Sequence, residues 1–341
     1  MAVPMQSMDE VELQLAPTQG ISQCEFGPTT RTLLVSSWDG GLSLYDADKN
    51  ALVQRVHAHA APVLDCCFAH DDAHAVTAGA DHAVKLWDLA QGSSTLLGIH
   101  AQPVKCAEYA ADHGAIVTAG WDRAMQLWDP RQPADGSVLA VELPEKAFAM
   151  GLSDNRIVVG MAGRHIYVYD LRKLGEVEQV RQSSLKYQTR SIRCFPNGQG
   201  YALGSVEGRV AMEYFDESPE AQARKYAFKC HRVREDKETD NVFPVNAIAF
   251  NKQYGTFATG GCDGTVITWD GENKKKLTTY AAKDTSVAAL AFSHDDSLLA
   301  TAVSYTESAG DTTCGGEAPP PDQLFIRAPA DEDVRSMTAV P

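Results

Sequence analysis

The sequence predicts an all-β fold: a seven-bladed β-propeller whose N-terminal strand closes the last blade. Three observations lead to this prediction: a repeat of about forty residues, a strand-like alternating segment at the start of each repeat, and a lone alternating segment before the first repeat. Radial repetition of four-stranded blades leaves only short, protected sheet edges, so an array of short half-buried strands is stable in this architecture.

The repeat is marked by an aromatic residue followed by aspartate. The pairs Tyr45-Asp46, Trp87-Asp88, Trp128-Asp129 and Tyr169-Asp170 are spaced 42, 41 and 41 residues apart, within the period of about 40 to 45 of a WD repeat. Seven residues before such endings stand Asp39, Asp81, Asp122 and Asp263. A carboxylate there is suited to accept hydrogen bonds in a tight turn between two strands. Blades four and five have Gly163 and Glu207 instead and are degenerate.

Alternating apolar segments open the repeats and give the blade count. Clear cases lie at 63–68, 104–109, 245–250 and 287–292; adding 21–26 and the fourth and fifth units gives seven. Period-two patterning with Val, Ile and Phe is typical of half-buried strands. We expect the segment 11–15 to pair with 323–327 and complete the last blade. The predicted organisation is an N-terminal tail at 1–10, the propeller at 11–329 with a mobile loop at 305–322, and a disordered tail at 330–341.

Composition describes an ordinary water-soluble chain. Of 341 residues, 44% are hydrophobic and 22% charged, and the net charge of −15 opposes general attraction to nucleic acid or anionic lipid. The first sixteen residues lack the pattern of a signal peptide, and no apolar run is long enough for a membrane helix. These features predict a protein of the cytosol or nucleus whose eight cysteines are reduced, mostly core residues.

Common catalytic and metal-binding patterns are absent from the sequence. It contains no GxSxG elbow, P-loop or strand-linked GxGxxG, and the ten histidines form no HExxH or HxH pair with further ligands at metal-binding spacing. The sequence therefore predicts no catalytic residues, no metal site and no cofactor.

Two tryptophans depart from the repeat. The position before the turn aspartate is occupied by Ala80 in blade two and Cys262 in blade six, but by Trp38 in blade one and Trp121 in blade three. Indoles at equivalent positions on one rim favour a peptide-binding surface, because tryptophan is enriched at binding hot spots. The alternative is that each indole packs against a neighbouring blade.

A basic segment interrupts the acidic chain. From Arg181 to Arg234 there are ten Lys or Arg against five Asp or Glu. This polarity would direct an anionic ligand to one side of the protein, where spaced cations suit a carboxylate or phosphate. The alternative is a solvated charged face.

Five stretches extend the pattern beyond a generic repeat: 33–39, 127–131, 183–190, 207–211 and 225–232. They closely resemble the third member of the budding-uninhibited-by-benzimidazole group of WD-repeat mitotic checkpoint proteins, and the resemblance runs from about residue 19 to 327. A sister family, the messenger RNA export factor of the nuclear pore, shares the propeller and a segment similar to Lys186-Tyr187-Gln188.

The resemblance implies a non-enzymatic adaptor of the spindle assembly checkpoint, located in the nucleus and at kinetochores with a cytoplasmic pool. Such a protein is expected to be a monomeric propeller within hetero-complexes. Its implied partners are GLEBS motifs of a checkpoint kinase and its pseudokinase relative, and a kinetochore scaffold whose Met-Glu-Leu-Thr repeats are phosphorylated. No membrane partner is implied.

The resemblance also assigns roles to residues. For the GLEBS-type segment we expect Trp38 and Trp121 as apolar anchors and Arg209 as the partner of a glutamate, with support from the cations Lys186 and Arg190. For phosphothreonine we expect Lys229 and Arg232, because a group of nearly two negative charges needs at least two cationic donors. His231 is expected to belong to the turn between blades.

Two other functions compete with this prediction. In the first, the same propeller carries the GLEBS segment of a pore protein and serves messenger RNA export. In the second, it is a substrate receptor of a cullin-type ubiquitin ligase, suggested by Trp128-Asp129-Pro130-Arg131 and Tyr169-Asp170-Leu171-Arg172, which resemble the WDxR box.

Overall fold

A computed structural model describes residues 10–132, 136–235, 239–306 and 320–337. Within them the predicted fold is confirmed: the protein is a seven-bladed β-propeller of WD repeats, with seven four-stranded antiparallel sheets and one two-stranded hairpin. The chain divides into two compact units, Pro17–Ser183 and the pair of segments Met1–Ala16 and Ser184–Pro341. None of the helices in the described ranges has the length and hydropathy needed to span a membrane.

The unit Pro17–Ser183 contains four blades, each a meander of consecutive strands. Strands are numbered in chain order, and β1 (Glu10–Glu12) precedes this unit. Blade one comprises β2 (Ile21–Phe26), β3 (Thr32–Ser37), β4 (Gly41–Asp46) and β5 (Ala51–His57). Blade two comprises β6 (Val63–Phe68), β7 (His74–Gly79), β8 (Ala83–Asp88) and β9 (Ser93–Ile99). Blade three comprises β10 (Val104–Ala110), β11 (Ala115–Gly120), β12 (Ala124–Trp128) and β13 (Leu139–Glu142). Blade four comprises β14 (Ala147–Ser153), β15 (Arg156–Met161), β16 (His165–Asp170) and β17 (Val177–Gln182).

The other unit contains blades five to seven. Blade five comprises β18 (Thr189–Cys194), β19 (Gly200–Ser205), β20 (Arg209–Tyr214), the short helix α1 (Pro219–Ala223) and β21 (Tyr226–Lys229). A hairpin of β22 (Arg232–Arg234) and β23 (Asp240–Val242) follows. Blade six comprises β24 (Val245–Phe250), β25 (Phe257–Gly261), β26 (Val266–Asp270) and β27 (Lys275–Thr279). Blade seven comprises β28 (Val287–Phe292), β29 (Leu299–Val303), β30 (Gln323–Arg327) and the N-terminal β1 (Glu10–Glu12), and helix α2 (Asp331–Val334) follows β30.

The N-terminal strand closes blade seven, as the sequence predicts. Strand β1 pairs antiparallel with β30, with Glu10 opposite Arg327. The strand is shorter than the predicted segment 11–15 and begins one residue earlier. Beyond Glu12 the Leu13 N–H still donates to the Leu324 carbonyl at 2.7 Å, but Leu15 has a φ of 61°, a left-handed conformation that excludes it from extended pairing.

Apolar layers between blades form the core of each unit. Between blades one and two, for example, Leu34 and Leu42 pack with Cys66 and Trp87. The described cysteines are free thiols, and all of them except the half-buried Cys194 are buried. Burial raises the pKa of the Cys66 thiol well above its ordinary value, so this residue behaves as a small apolar side chain.

The turn aspartates anchor buried polar chains in blades two, three and six. In blade three, Trp128 Nε1 donates to Thr118 Oγ1 at 2.8 Å, and the two nitrogens of His100 lie 2.8 Å from Thr118 Oγ1 and 2.9 Å from Asp122 Oδ2. Burial lowers the pKa of His100. A neutral imidazole that accepts from the threonine and donates to Asp122 therefore satisfies every member of the chain.

His231 has the same structural role in blade six. Its side chain is buried and joins Asp263 at 2.9 Å and Thr259 Oγ1 at 2.8 Å. The expectation that His231 belongs to the turn between blades is confirmed, and its ring nitrogens are occupied by these contacts.

The C-terminal segment differs from the prediction. A disordered tail was expected over 330–341, but residues 330–337 form α2 and an ordered extension. Thr256 Oγ1 donates to the Val334 carbonyl at 2.6 Å, and the buried Ser336 hydroxyl donates to Asp270 Oδ2 at 3.0 Å. These contacts with blade six compensate for the cost of ordering the segment. Residues 338–341, and 307–319 of the predicted mobile loop, lie outside the described residues.

Candidate binding sites

Trp38 and Trp121 occupy equivalent turns of blades one and three. Each follows the second strand of its blade, and its backbone N–H donates to a carbonyl at 2.9 Å, that of Gly20 or Pro103. Ala80 in blade two makes the same bond to Pro62 at 2.8 Å. The repeated hydrogen bond establishes that the two indoles stand at one position of the repeat, as the sequence predicts.

The exposure of these indoles separates them from the other tryptophans. Trp38 is 53% exposed and Trp121 36% exposed, whereas Trp87 and Trp128 are buried. Each buried indole donates to a threonine in a polar chain. The exposed pair retains apolar area that only a binding partner would cover.

The basic segment brings its candidate residues to one edge of blade five. Lys186 is exposed in the loop before β18, and Arg190 on β18 donates from Nε to Asn246 Oδ1 at 3.1 Å. The N–H of Val206 donates to the Gln188 carbonyl at 3.1 Å. This bond holds the Lys186 loop against the β19–β20 turn, which carries Glu207.

Arg209, Lys229 and Arg232 form a cationic cluster beside the β19–β20 turn that carries Glu207. Arg209 and Lys229 are directly opposite each other on β20 and β21, so their side chains share a sheet face. Arg209 Nε lies 3.5 Å from Glu207 Oε2, and Arg232 Nη2 donates to the Glu207 carbonyl at 2.7 Å. Sequence analysis missed the role of Glu207, although it stands where other blades carry the turn aspartate.

The cluster has hydrogen-bonding capacity to spare. Lys229 is exposed, and the buried Nε of Arg232 has no hydrogen-bond partner among the described residues. Buried donors without partners are rare in folded proteins. Among the described residues Arg209 has the Glu207 carboxylate as an ion-pair partner, whereas Lys229 and Arg232 have none. The cluster therefore keeps a net positive charge, which suits an incoming carboxylate or phosphate.

The grouping of these residues differs from their predicted division. Sequence reasoning assigned Arg209 to a peptide site, and Lys229 and Arg232 to a separate phosphate site. In the structure the three lie together, because the register of β20 with β21 places Arg209 opposite Lys229. A ligand that binds one of them would therefore feel the charge of the others.

Other basic residues of the segment are engaged within blade five. Lys225 Nζ lies 2.8 Å from Glu213 Oε2, and the Arg224 guanidinium lies 4.4 Å from the centre of the Tyr214 ring. The local excess of positive charge is thus partly neutralised by the chain itself. An exposed aromatic, Tyr187, which is 58% exposed, lies beside Lys186 and carries no predicted role.

The arginines of the two WDxR-like segments bind their own aspartates. Arg131 donates to Asp129 through Nε and Nη2, both at 2.8 Å, and Arg172 Nε donates to Asp170 Oδ1 at 2.9 Å. These side chains are solvent-exposed local pairs that complete their turns. The pattern that suggests a ubiquitin-ligase substrate receptor therefore has a structural explanation in each blade.

The described residues contain a cluster of metal-ligand side chains that the sequence analysis does not predict. His70 and Asp71 in the loop between β6 and β7 and His74 at the start of β7 have their ligand atoms within 4.8 Å of one another. The signal was present as His-Asp-x-x-His, a spacing that searches for HExxH and HxH do not match.

Comparisons with known proteins agree with the repeat and the fold. The family described as WD domain, G-beta repeat matches residues 50–88, 93–129 and 228–270. The chain is 48% identical to Mitotic checkpoint protein BUB3.1 of Arabidopsis thaliana over 327 residues, covering 95% of this chain and 94% of the relative. It is 43% identical to Mitotic checkpoint protein bub3 of Dictyostelium discoideum over 318 residues, covering 92% and 93%.

A relative with another name is also similar. The mRNA export factor GLE2 of Chaetomium thermophilum is 35% identical over 308 residues, covering 89% of this chain and 86% of the relative. Its lower identity over a similar span is consistent with the sister-family relationship that the sequence suggests.

Proposed function

The chain belongs to the BUB3 family of mitotic checkpoint WD-repeat proteins, and from that premise we propose that it is a non-enzymatic adaptor of the spindle assembly checkpoint. It binds GLEBS-type segments of a checkpoint kinase and its pseudokinase relative. It recruits them to kinetochores by reading phosphothreonine in Met-Glu-Leu-Thr-type repeats. The protein acts in the nucleus and at kinetochores, with a cytoplasmic pool, as a monomeric propeller within hetero-complexes.

The observation that carries this proposal is the cationic cluster of Arg209, Lys229 and Arg232. A phosphothreonine has nearly two negative charges and three acceptor oxygens at neutral pH. Exposed Lys229 and half-buried Arg232 supply the two cationic donors that replace its hydration. Unphosphorylated threonine presents one neutral hydroxyl and gains little from the same donors, so the site discriminates by charge.

Arg209 links the phosphate site to the GLEBS-type segment. Its guanidinium already lies near the Glu207 carboxylate, and a glutamate of an incoming peptide would offer it a second carboxylate. Lys186 and Arg190, at the same edge of blade five, contribute further positive charge for an acidic segment. The exposed indoles of Trp38 and Trp121 supply apolar anchors for the same segment.

Messenger RNA export is the second candidate function, favoured by the relative named GLE2. An export adaptor also uses a GLEBS-type segment but has no need of a phosphothreonine reader. Direct RNA binding is opposed by the net charge of −15, because phosphate contacts supply most of such affinity. Phosphopeptide binding therefore distinguishes the two functions.

Charge reversal at the phosphate donors tests the proposal. The variant Lys229→Glu with Arg232→Glu is expected to lose binding of a Met-Glu-Leu-phosphothreonine peptide. Binding of a GLEBS-type peptide should weaken less, because only the neighbouring charge on Arg209 is perturbed. The matched control is Lys275→Glu, on the exposed strand β27 outside the cluster, which should leave both affinities unchanged. If the double variant lost affinity for both peptides equally, Lys229 and Arg232 would not have the specific role in phosphothreonine binding that we propose.

A further inference from the structure

We propose that His70, Asp71 and His74 form a surface site for a divalent transition-metal ion of the zinc class. His70 and Asp71 lie in the β6–β7 loop of blade two and His74 is the first residue of β7, and none of them belongs to the proposed peptide and phosphate sites. His74 Nδ1 is 2.8 Å from Asp71 Oδ1, and His70 Nε2 is 3.3 Å from Asp71 Oδ2. Two imidazoles therefore converge on one carboxylate.

The distances fit a shared ion after small side-chain rotations. Zinc binds His nitrogen and carboxylate oxygen at about 2.0–2.2 Å, which separates tetrahedral ligand atoms by roughly 3.4 Å. All three ligand atoms already lie within 4.8 Å of one another. The imidazole rings are stacked, with centroids 4.5 Å apart and planes at 27°. The side chains are between 31% and 48% exposed, which leaves room for water to complete the coordination shell.

Backbone hydrogen bonds hold the carboxylate ligand in place. Asp71 Oδ1 accepts from the N–H groups of Ala73 at 2.9 Å and His74 at 2.8 Å. Oδ2 faces His70 and retains lone pairs for an ion. The carboxylate is therefore oriented before metal binding, as outer hydrogen bonds to metal ligands commonly ensure.

The next residue fixes the loop to blade one. Asp72 Oδ1 accepts from the backbone N–H of Thr29 at 3.2 Å and of Thr30 at 3.1 Å. Because these hydrogen bonds already order the loop, it loses little conformational entropy when its ligands close on an ion.

The donor set selects the class of metal. Imidazole nitrogens suit zinc, copper and nickel, whereas magnesium and calcium require oxygen ligands. Zinc is the appropriate probe because it accepts two histidines and a carboxylate with water in the remaining position.

Zinc titration of the untagged full-length chain tests the site. We expect one saturable zinc ion by calorimetry at pH 7.5, and no magnesium binding under the same conditions. His70→Gln and His74→Gln should each weaken zinc binding by at least about tenfold. Asp71→Asn should weaken it similarly, because the amide oxygen can still accept the backbone hydrogen bonds but supplies no charge.

The control is His57→Gln, at the exposed end of β5, which should bind zinc with unchanged affinity. Each variant should melt at the wild-type temperature without metal, and zinc should raise the melting temperature of the wild type and of His57→Gln alone. Unchanged zinc affinity in His70→Gln and His74→Gln, or equal binding of magnesium, would overturn the proposal.

Discussion

Replacing Trp38 with alanine is expected to weaken binding of a GLEBS-type peptide strongly while leaving the free energy of unfolding almost unchanged. Trp38 is 53% exposed, so a partner that covers it removes about 130 Å² of a side chain that presents up to about 250 Å². At about 25 cal/mol per Å² this burial is worth about 3 kcal/mol, or roughly a 150-fold change in Kd.

Trp121 provides an internal comparison. It is 36% exposed, which corresponds to about 90 Å² and about 2 kcal/mol. Trp121→Ala should therefore weaken binding by roughly 30-fold to 40-fold, less than Trp38→Ala. The larger loss of affinity expected for Trp38→Ala follows from the structure, because the two indoles occupy equivalent positions in the sequence repeat.

Fluorescence anisotropy of a labelled GLEBS-type peptide measures both affinities, and urea denaturation measures stability. The control is Val138→Ala, which removes exposed apolar area elsewhere in the same unit and should leave Kd unchanged. Both tryptophan variants should unfold within about 0.5 kcal/mol of wild type, as surface substitutions usually do. A loss of more than about 1 kcal/mol in Trp38→Ala, or equal binding by all three variants, would refute the reasoning.

Three further predictions concern stability. Thr118→Val should lower the free energy of unfolding, measured by urea denaturation, by about 2–4 kcal/mol, because Trp128 and His100 each lose a buried hydrogen bond to that hydroxyl. A decrease below about 1 kcal/mol would contradict the buried polar chain. Burial lowers the pKa of His59 and of His100, so the unfolded chain binds more protons than the folded chain at acidic pH. The melting temperature should therefore fall as the pH drops from 7 to 5. A melting temperature that does not change over this range would argue against neutral imidazoles. Ser336→Ala should lower the free energy of unfolding by about 1.5–3 kcal/mol through the lost hydrogen bond to a carboxylate, whereas no change would mean that the C-terminal segment contributes nothing to stability.

The fold could be predicted because the same sequence pattern recurs in each repeat. Period-two strands, the aromatic-aspartate ending and the turn carboxylate recur at a fixed spacing, so one blade's pattern supports the next. The lone N-terminal strand was predictable for the same reason, since blade seven lacks its own fourth strand. Its shorter extent, Glu10–Glu12, could not be predicted, because the positive φ of Leu15 has no sequence signal.

The C-terminal segment was mispredicted because composition says little about long-range contacts. A short, acidic, proline-flanked stretch is typical of disorder. Its order depends on Asp270 and Thr256, which are about seventy residues distant in sequence. Tertiary contacts of this kind become visible only once the blades are assembled.

The candidate site was predictable residue by residue but not in its arrangement. Trp38 and Trp121 stood out as departures from the repeat, and their exposure fits that interpretation. The grouping of Arg209 with Lys229 depends on the register of two strands joined by an inserted helix, and a one-residue shift would have placed these side chains on opposite faces. The His70 cluster was missed because a tight turn folds its ligands together.

The central claim, that this propeller reads phosphothreonine, is tested most directly by anisotropy of a labelled Met-Glu-Leu-phosphothreonine peptide and its unphosphorylated twin, with and without saturating GLEBS-type peptide. We expect the phosphorylated peptide to bind more tightly in at least one condition, by 10-fold or more if charge-assisted contacts from Lys229 and Arg232 contribute about 1.5–3 kcal/mol. Equal binding of the two peptides in both conditions would contradict the claim and favour the export function.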